Sequence, residues 1–218
     1  MLTRNQWIIV IILGIIAIFA YDFTNRQIKN ESSNVAQAAA SAPIEASAWK
    51  LYRPQNGRFE VLFPSLPQHV AESHPSELGK DFTKYDVYLA QERDGSVYMI
   101  SMTRYPTKGD PGSSEEILEG VMNGAVKANP NNKLVHSERS TTLNLPSIDF
   151  AIQSQDYAIK TKAILDDKSL FVLTVMDRDQ SRVDSDFNTF ASSFVIKNDA
   201  PVETAPNTAP SEDTKQLK

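Results

Sequence analysis

Fifteen consecutive residues near the start of the chain, Trp7 to Tyr21 (WIIVIILGIIAIFAY), carry no charge and no strongly polar side chain. As a helix rising about 1.5 Å per residue they reach roughly 22 Å, short of a hydrocarbon core of about 30 Å, and Leu2, Thr3, Phe23 and Thr24 extend the run. Trp7 and Tyr21 stand at its two ends, where amphipathic rings prefer the interface. The pattern predicts one transmembrane anchor over residues 1–24, held in a lipid bilayer through residues 7–21. A cleaved signal peptide is the rival reading, but Ile18 occupies the place where a small residue should precede Ala20. The next small-residue site, Ala40-Ser41-Ala42, lies well beyond the apolar run. A buried core helix is the third reading, and it would need a large core on every side. Arg4 and the terminal amine before the run nearly balance Arg26 and Lys29 after it, so charge does not set the orientation. Position does: a short tail before an early apolar run predicts an amino terminus inside the cell and the remainder outside.

Beyond residue 48 the periodicity changes. Trp49 to Arg53 is a short strand candidate, and Pro54-Gln-Asn-Gly57 supplies turn chemistry. Arg58 to Phe63 alternates, with Phe59, Val61 and Phe63 on one face. Phe82–Gln91 and Ser96–Tyr105 flank Arg93-Asp-Gly95 as a second hairpin, and VYMISM within the latter is apolar on both faces, which predicts a central strand. Lys133–Leu143, Ile148–Gln155, Tyr157–Leu165 and Leu170–Met176 follow, joined by connections short enough for antiparallel neighbours. LFVLTVM in the last of these is again doubly apolar. Two segments have the helical period. Ser113 and Glu116 make a capping box ahead of the stripe Ile117, Leu118, Val121, Met122 and Ala125, which Asn129-Pro130 ends. From Gln180 or Ser181 to Phe194, the residues Val183, Phe187, Phe190, Ala191 and Phe194 share a face, and Asp184 and Asp186 in its first turns suit the positive helix end. The fold class predicted is α+β: a single antiparallel sheet of six to eight strands with two main helices packed on it, preceded by one transmembrane helix. The organisation predicted is an anchor over 1–24, an Ala/Ser-rich linker over 25–48, an α+β domain over 49–197 and a disordered Pro/Thr-rich tail over 198–218.

Composition narrows the possible functions. The 218 residues include 22 basic and 27 acidic side chains, for a formal net charge of -5, which argues against a nucleic-acid partner. Cys is 0, which excludes disulfides, thiolate metal sites, a cysteine nucleophile and a lipidated cysteine. With Gly at only 8, and no GxGxxG, Walker, GxSxG or HExxH pattern, phosphate-cradling loops and the common hydrolase sites are not expected.

A few residues still invite chemistry. His69 and His74 fall in what reads as a loop between Pro67 and Pro75, where Glu72 or Glu77 could complete a metal site; solvated polar residues explain them as simply. His136 reads as a surface residue of a polar strand. The run from Asp177 through Asp179 and Asp184 to Asp186 suggests calcium. Counted from Asp177, however, Ser181 falls at position 5, Arg182 at the glycine position and Asn188 at the terminal glutamate position, so the EF-hand pattern fails. Glu115, Glu116 and Glu119 crowd the first turns of a helix, where a solvated face and dipole partners account for them. Lys160, Lys162 and Arg139 could form a small basic patch. No catalytic, cofactor-binding or metal-binding residue is assigned.

The stretch Gly57-Arg-Phe-Glu-Val-Leu-Phe-Pro64-Ser-Leu-Pro67 resembles the opening strand of a group of small bacterial envelope domains. Phe187 to Val195 (FNTFASSFV), with its Ser193-Phe194 pair, is similar to their closing helix. The order of elements between them resembles the PsbP/Mog1-like α/β/α sandwich over about 150 residues. That resemblance implies a fold whose members are mainly non-catalytic accessory and assembly proteins that bind other proteins; no site residue carries over. The expected function is a membrane-tethered, non-catalytic accessory or assembly module that binds envelope proteins, without a cofactor, at a bacterial inner membrane with its domain in the periplasm. A small hydrophobic-ligand-binding domain and a hydrolase with an unrecognised site are the alternatives.

Overall fold

A computed structural model describes residues 49–75, 82–105, 112–167 and 169–197. The predicted anchor and linker, the tail, and Glu77 lie outside the described residues, and no described helix is long and apolar enough to cross a membrane. The described residues form ten strands and two helices, in order: β1 (Lys50–Tyr52), β2 (Phe59–Phe63), β3 (Gln68–Pro75), β4 (Phe82–Gln91), β5 (Val97–Arg104), α1 (Ser114–Lys127), β6 (Asn132–Thr142), β7 (Leu145–Ser154), β8 (Tyr157–Asp166), β9 (Ser169–Asp177), α2 (Gln180–Ser192) and β10 (Val195–Ile196).

Seven strands form one antiparallel sheet in the order β3-β4-β5-β9-β8-β7-β6. The two doubly apolar strands, β5 and β9, sit side by side inside it, as their patterns predict, and both are buried along almost their whole length. The expectation of a single sheet is corrected. β1, β2 and β10 make a separate three-stranded sheet in the order β1-β2-β10. The cause lies in β2. Phe59, Val61 and Phe63 are fully buried, so β2 lays its apolar face on the large sheet instead of extending its edge.

Alternation along β5 and β9 separates two cores. Tyr98, Ile100, Met102, Phe171, Leu173 and Val175 face β2 and the Phe187, Phe190 and Phe194 side chains of the last helical segment. Leu170, Val172, Ala163, Leu165, Ile148, Phe150 and Ile152 face the opposite way, against Ile117 and Leu118 of α1. The architecture is therefore α1, large sheet, then α2 with the small sheet.

Local chemistry sets the ends of the helices. The Ser113 side chain accepts from the Glu116 amide and the Glu116 carboxylate accepts from the Ser113 amide, each at 3.2 Å, which is the predicted capping box. Asp179 caps α2 through the Ser181 amide at 2.9 Å. Gly57 takes a φ of 65° in the β1–β2 turn, the left-handed conformation that its Asn-Gly pair favours.

Candidate functional site

The histidine loop expected between Pro67 and Pro75 is a strand. β3 pairs residue by residue with β4, from Gln68 opposite Leu89 to Pro75 opposite Phe82, so His69 and His74 lie in regular structure. Strand alternation puts positions 69 and 72 on opposite faces, which separates His69 from Glu72. His69 stacks on the Tyr88 ring, with centroids 4.3 Å apart and planes 3° apart. Its Nε2 lies 2.9 Å from Asp86 Oδ1. The Arg104 guanidinium donates to the other oxygen of that buried carboxylate at 3.1 Å. The Asn56 side-chain amide donates to the Tyr88 hydroxyl at 3.2 Å. Burial, helped by the Asp86 charge, pushes the Tyr88 hydroxyl well above its usual range. The cluster ties β3, β4 and β5 to the turn before β2. Chemically it offers one imidazole oriented by a carboxylate, with no hydroxyl or thiol placed against it as a nucleophile by any of these contacts. Sequence reasoning missed Asp86 and Arg104 because they reach His69 only through the register of three strands.

The acidic run from Asp177 to Asp186 is taken up by the fold. Asp177 is buried; its Oδ2 accepts the Ser96 hydroxyl at 2.5 Å and its Oδ1 the Asp179 amide at 2.9 Å. Arg182 pairs with Asp94 and lies 3.4 Å from Asp177. Burial works to raise the Asp94 carboxyl, but the Ser96 hydroxyl and amide and the Arg182 guanidinium outweigh it and hold that group below the usual carboxylate range. Asp184 accepts from Lys160 Nζ at 3.0 Å, and Asp186 accepts from the Tyr98 hydroxyl at 2.5 Å. Asp94 and Asp177 share Ser96 and Arg182, whereas Asp184 and Asp186 are taken up by Lys160 and Tyr98, so the run does not converge on one point. Among the described residues no group of three His, Cys, Asp or Glu side chains is placed to hold a metal ion.

The supposed basic patch is divided by the sheet. Arg139 bonds Glu115 and Glu119 on the α1 side, which also accounts for two of the three helix carboxylates. Lys160 and Lys162 lie on the α2 side, each paired with an acid. Lys162 Nζ donates to Asp149 at 2.8 Å and to Thr142 Oγ1 at 3.1 Å, within a network that continues through Ser140 and Ser147. His136 is exposed, 3.8 Å from Glu138, as a surface residue should be.

Among the described residues, the two edge strands of the large sheet, β6 and β3, each pair on one side only. At one edge, β6 carries Lys133 and a bulge between Leu134 and His136 that turns Val135 out, 67% exposed. Bulges and lysines are common guards against strand addition. At the other edge, β3 is regular. Gln68 to Ser73 are all exposed, none is lysine, and among the described residues β3 pairs with β4 alone.

No protein-family model matches the chain. No curated protein matches it. Among solved structures it is similar to the solution structure of a cyanobacterial PsbP (CyanoP) from Synechocystis, at 15% identity and a TM-score of 0.47, over 73% of this chain and 99% of that one. It is also similar to the crystal structure of a Pseudomonas aeruginosa protein of unknown function described as a putative regulator, at 13% identity and a TM-score of 0.40, over 70% of this chain and 99% of that one. A PsbP structure is thus among the matches. The likeness is one of chain path.

Proposed function

We propose that this chain is a membrane-tethered, non-catalytic accessory module that captures an extended segment of an envelope protein on the edge of β3. The observation that carries the reading is the contrast between the sheet edges: β6 is guarded by a bulge and a lysine, whereas β3 offers six exposed, regular residues. Main-chain hydrogen bonds from an added strand would supply affinity, and the alternating side chains beside it would supply selectivity. The chemistry-bearing side chains support the same reading, since His69, Asp86, Asp177 and Lys162 are engaged in contacts that join strands to one another. The tether comes from the apolar run at residues 7–21.

The test uses the intact chain in membranes. Affinity capture with the wild type is compared with Val70→Lys and Ala71→Lys, which place charge on the edge without touching the core. A partner retained by the wild type and lost from both variants supports strand addition at β3; an unchanged set of partners overturns it. Orientation is read separately, by fusing alkaline phosphatase, or a fluorescent protein that stays dark in oxidising compartments, after Lys218. An active phosphatase with a dark fluorescent fusion supports the periplasmic placement, and the reverse pair puts the domain on the cytoplasmic face.

A further inference from the structure

The small sheet has an outer face that the core does not use. Phe59, Val61 and Phe63 point inward, so Glu60 and Leu62 point outward. Register then fixes their neighbours: Leu51 lies opposite Leu62, and Val195 lies opposite Glu60. Leu51 is 54% exposed and Val195 40% exposed, on either side of a half-buried Leu62. Two cations reach onto this face, with Arg53 Nε 3.0 Å and Lys197 Nζ 3.2 Å from the same Glu60 oxygen. The face therefore combines three aliphatic side chains with two basic groups and one acid, on a chain whose formal net charge is -5.

From this arrangement we infer that the outer face of the β1-β2-β10 sheet is a docking surface for an anionic lipid bilayer. Two facts select lipid as the occupant. The first is charge. A local surplus of basic over acidic groups on a net acidic chain complements anionic headgroups, while the leucines and valine supply area for the acyl boundary. The second is position. Among the described residues β1 is the first strand, and residues 22–48 separate it from the apolar run. A random coil of that length would have a root-mean-square reach of about 30 Å. The domain then meets the bilayer at an effective concentration on the order of millimolar, so a weak surface suffices. The inference rests on the proposed tether for this local concentration. Docking through the small sheet leaves β3, an edge of the other sheet, open to a protein.

The chain has no cysteine of its own, so single labels can be placed at will. Full-length protein carrying Val195→Cys or Asn123→Cys, the latter on the exposed side of α1, is labelled with an environment-sensitive dye. It is reconstituted into vesicles of phosphatidylcholine alone, or of phosphatidylcholine with about one third phosphatidylglycerol. Quenching by a lipid-borne nitroxide and flotation with the vesicles are both read. Docking predicts quenching at 195 but not at 123, in the anionic vesicles. It also predicts that Arg53→Glu and Lys197→Glu each weaken the effect at least about fivefold, the loss of one cation alone, and that Leu51→Ser weakens it while unfolding stays cooperative. Protein that floats with both kinds of vesicle yet shows no quenching at 195 keeps the tether and overturns the docking surface. Protein that floats with neither sinks both. Flotation on anionic vesicles alone, lost with Lys197→Glu, supports docking and removes the anchor. Rapid disulfide formation between two copies at position 195, without quenching, replaces the bilayer with a second copy of the chain.

Discussion

The Tyr98 hydroxyl donates a 2.5 Å hydrogen bond to the Asp186 carboxylate, joining the middle of the large sheet to the first turns of α2 across 88 positions of sequence. The ring beneath it packs against Trp49 at 5.4 Å and Phe190 at 6.1 Å between centroids, so one side chain contributes to both the core and its polar rim. Burial, together with the carboxylates of Asp186, Asp94 and Asp177, pushes this hydroxyl far above its ordinary value of 10.0. Tyr88, beneath His69, is raised as well, by burial and then by Asp86.

These shifts predict alkaline sensitivity. In the unfolded chain both tyrosines ionise near pH 10, whereas the fold keeps them protonated. Above that pH the unfolded state binds fewer protons than the native state, so stability falls as pH rises; below it the contribution is intact. Denaturant midpoints measured from pH 7 to pH 11.5 should decline from about pH 10 upward. The Tyr88→Phe/Tyr98→Phe variant should start lower at pH 7, by about 1 kcal/mol for each lost hydrogen bond, and decline less steeply. Parallel slopes would assign the alkaline loss to other groups.

Much of the fold is legible in the sequence because local rules and packing agree there. The capping box at Ser113 and Glu116, the Asn-Gly turn and the doubly apolar β5 and β9 each follow from short patterns. β3 does not, because Gln68-His69-Val70-Ala71-Glu72-Ser73 is polar and lies between prolines. Only pairing with β4 makes it a strand. β7 begins at Leu145, and Pro146 lies at its start, one residue before the pairing with β8 begins at Ser147, where a strand tolerates proline. The polar clusters are less legible still. Asp86 meets His69 and Arg104 through register, and Arg182 meets Asp94 and Asp177 through the docking of α2, none of which a linear spacing encodes.

The aromatic face of α2 should dominate stability. Phe190 is fully buried and its ring lies 5.1 Å from Phe63, while Phe187 is buried under Lys160, whose Nζ is 5.3 Å from the ring centre. Phe187→Ala and Phe190→Ala should each cost about 3–5 kcal/mol. Arg139→Ala, which breaks two exposed ion pairs with α1, should cost less than about 1 kcal/mol. Urea titrations of the three variants give the order; an Arg139 loss equal to the Phe losses would contradict the assignment of the core.

The turn between β6 and β7 leaves room for improvement. Leu143 and Asn144 both have positive φ, 56° and 62°, the combination of a tight hairpin turn that favours Asn-Gly. A leucine in this conformation carries a steric cost and, at 49% exposed, recovers little by burial. Replacing the pair with Leu143→Asn and Asn144→Gly should raise stability by about 1 kcal/mol. A lower unfolding midpoint would mean that Leu143 makes contacts worth more than the strain.

Truncation tests where the domain starts. Trp49 packs edge-on against Tyr98 at 5.4 Å, and Tyr52 lies 5.7 Å from Phe63 and 5.8 Å from Tyr88, so the first residues of β1 close the core beneath the small sheet. A chain beginning at Trp49 keeps all of these contacts and every strand and helix described above. It should unfold in a single cooperative transition. A chain beginning at Pro54 loses two aromatic rings and the β1 pairing with β2. It should lose about 3 kcal/mol, since two half-buried aromatic rings go, each worth roughly half of a fully buried one. Thermal and urea unfolding of the two truncations decide the matter. Equal stability would show that β1 is dispensable, and failure of the longer chain to unfold cooperatively would place part of the core before residue 49.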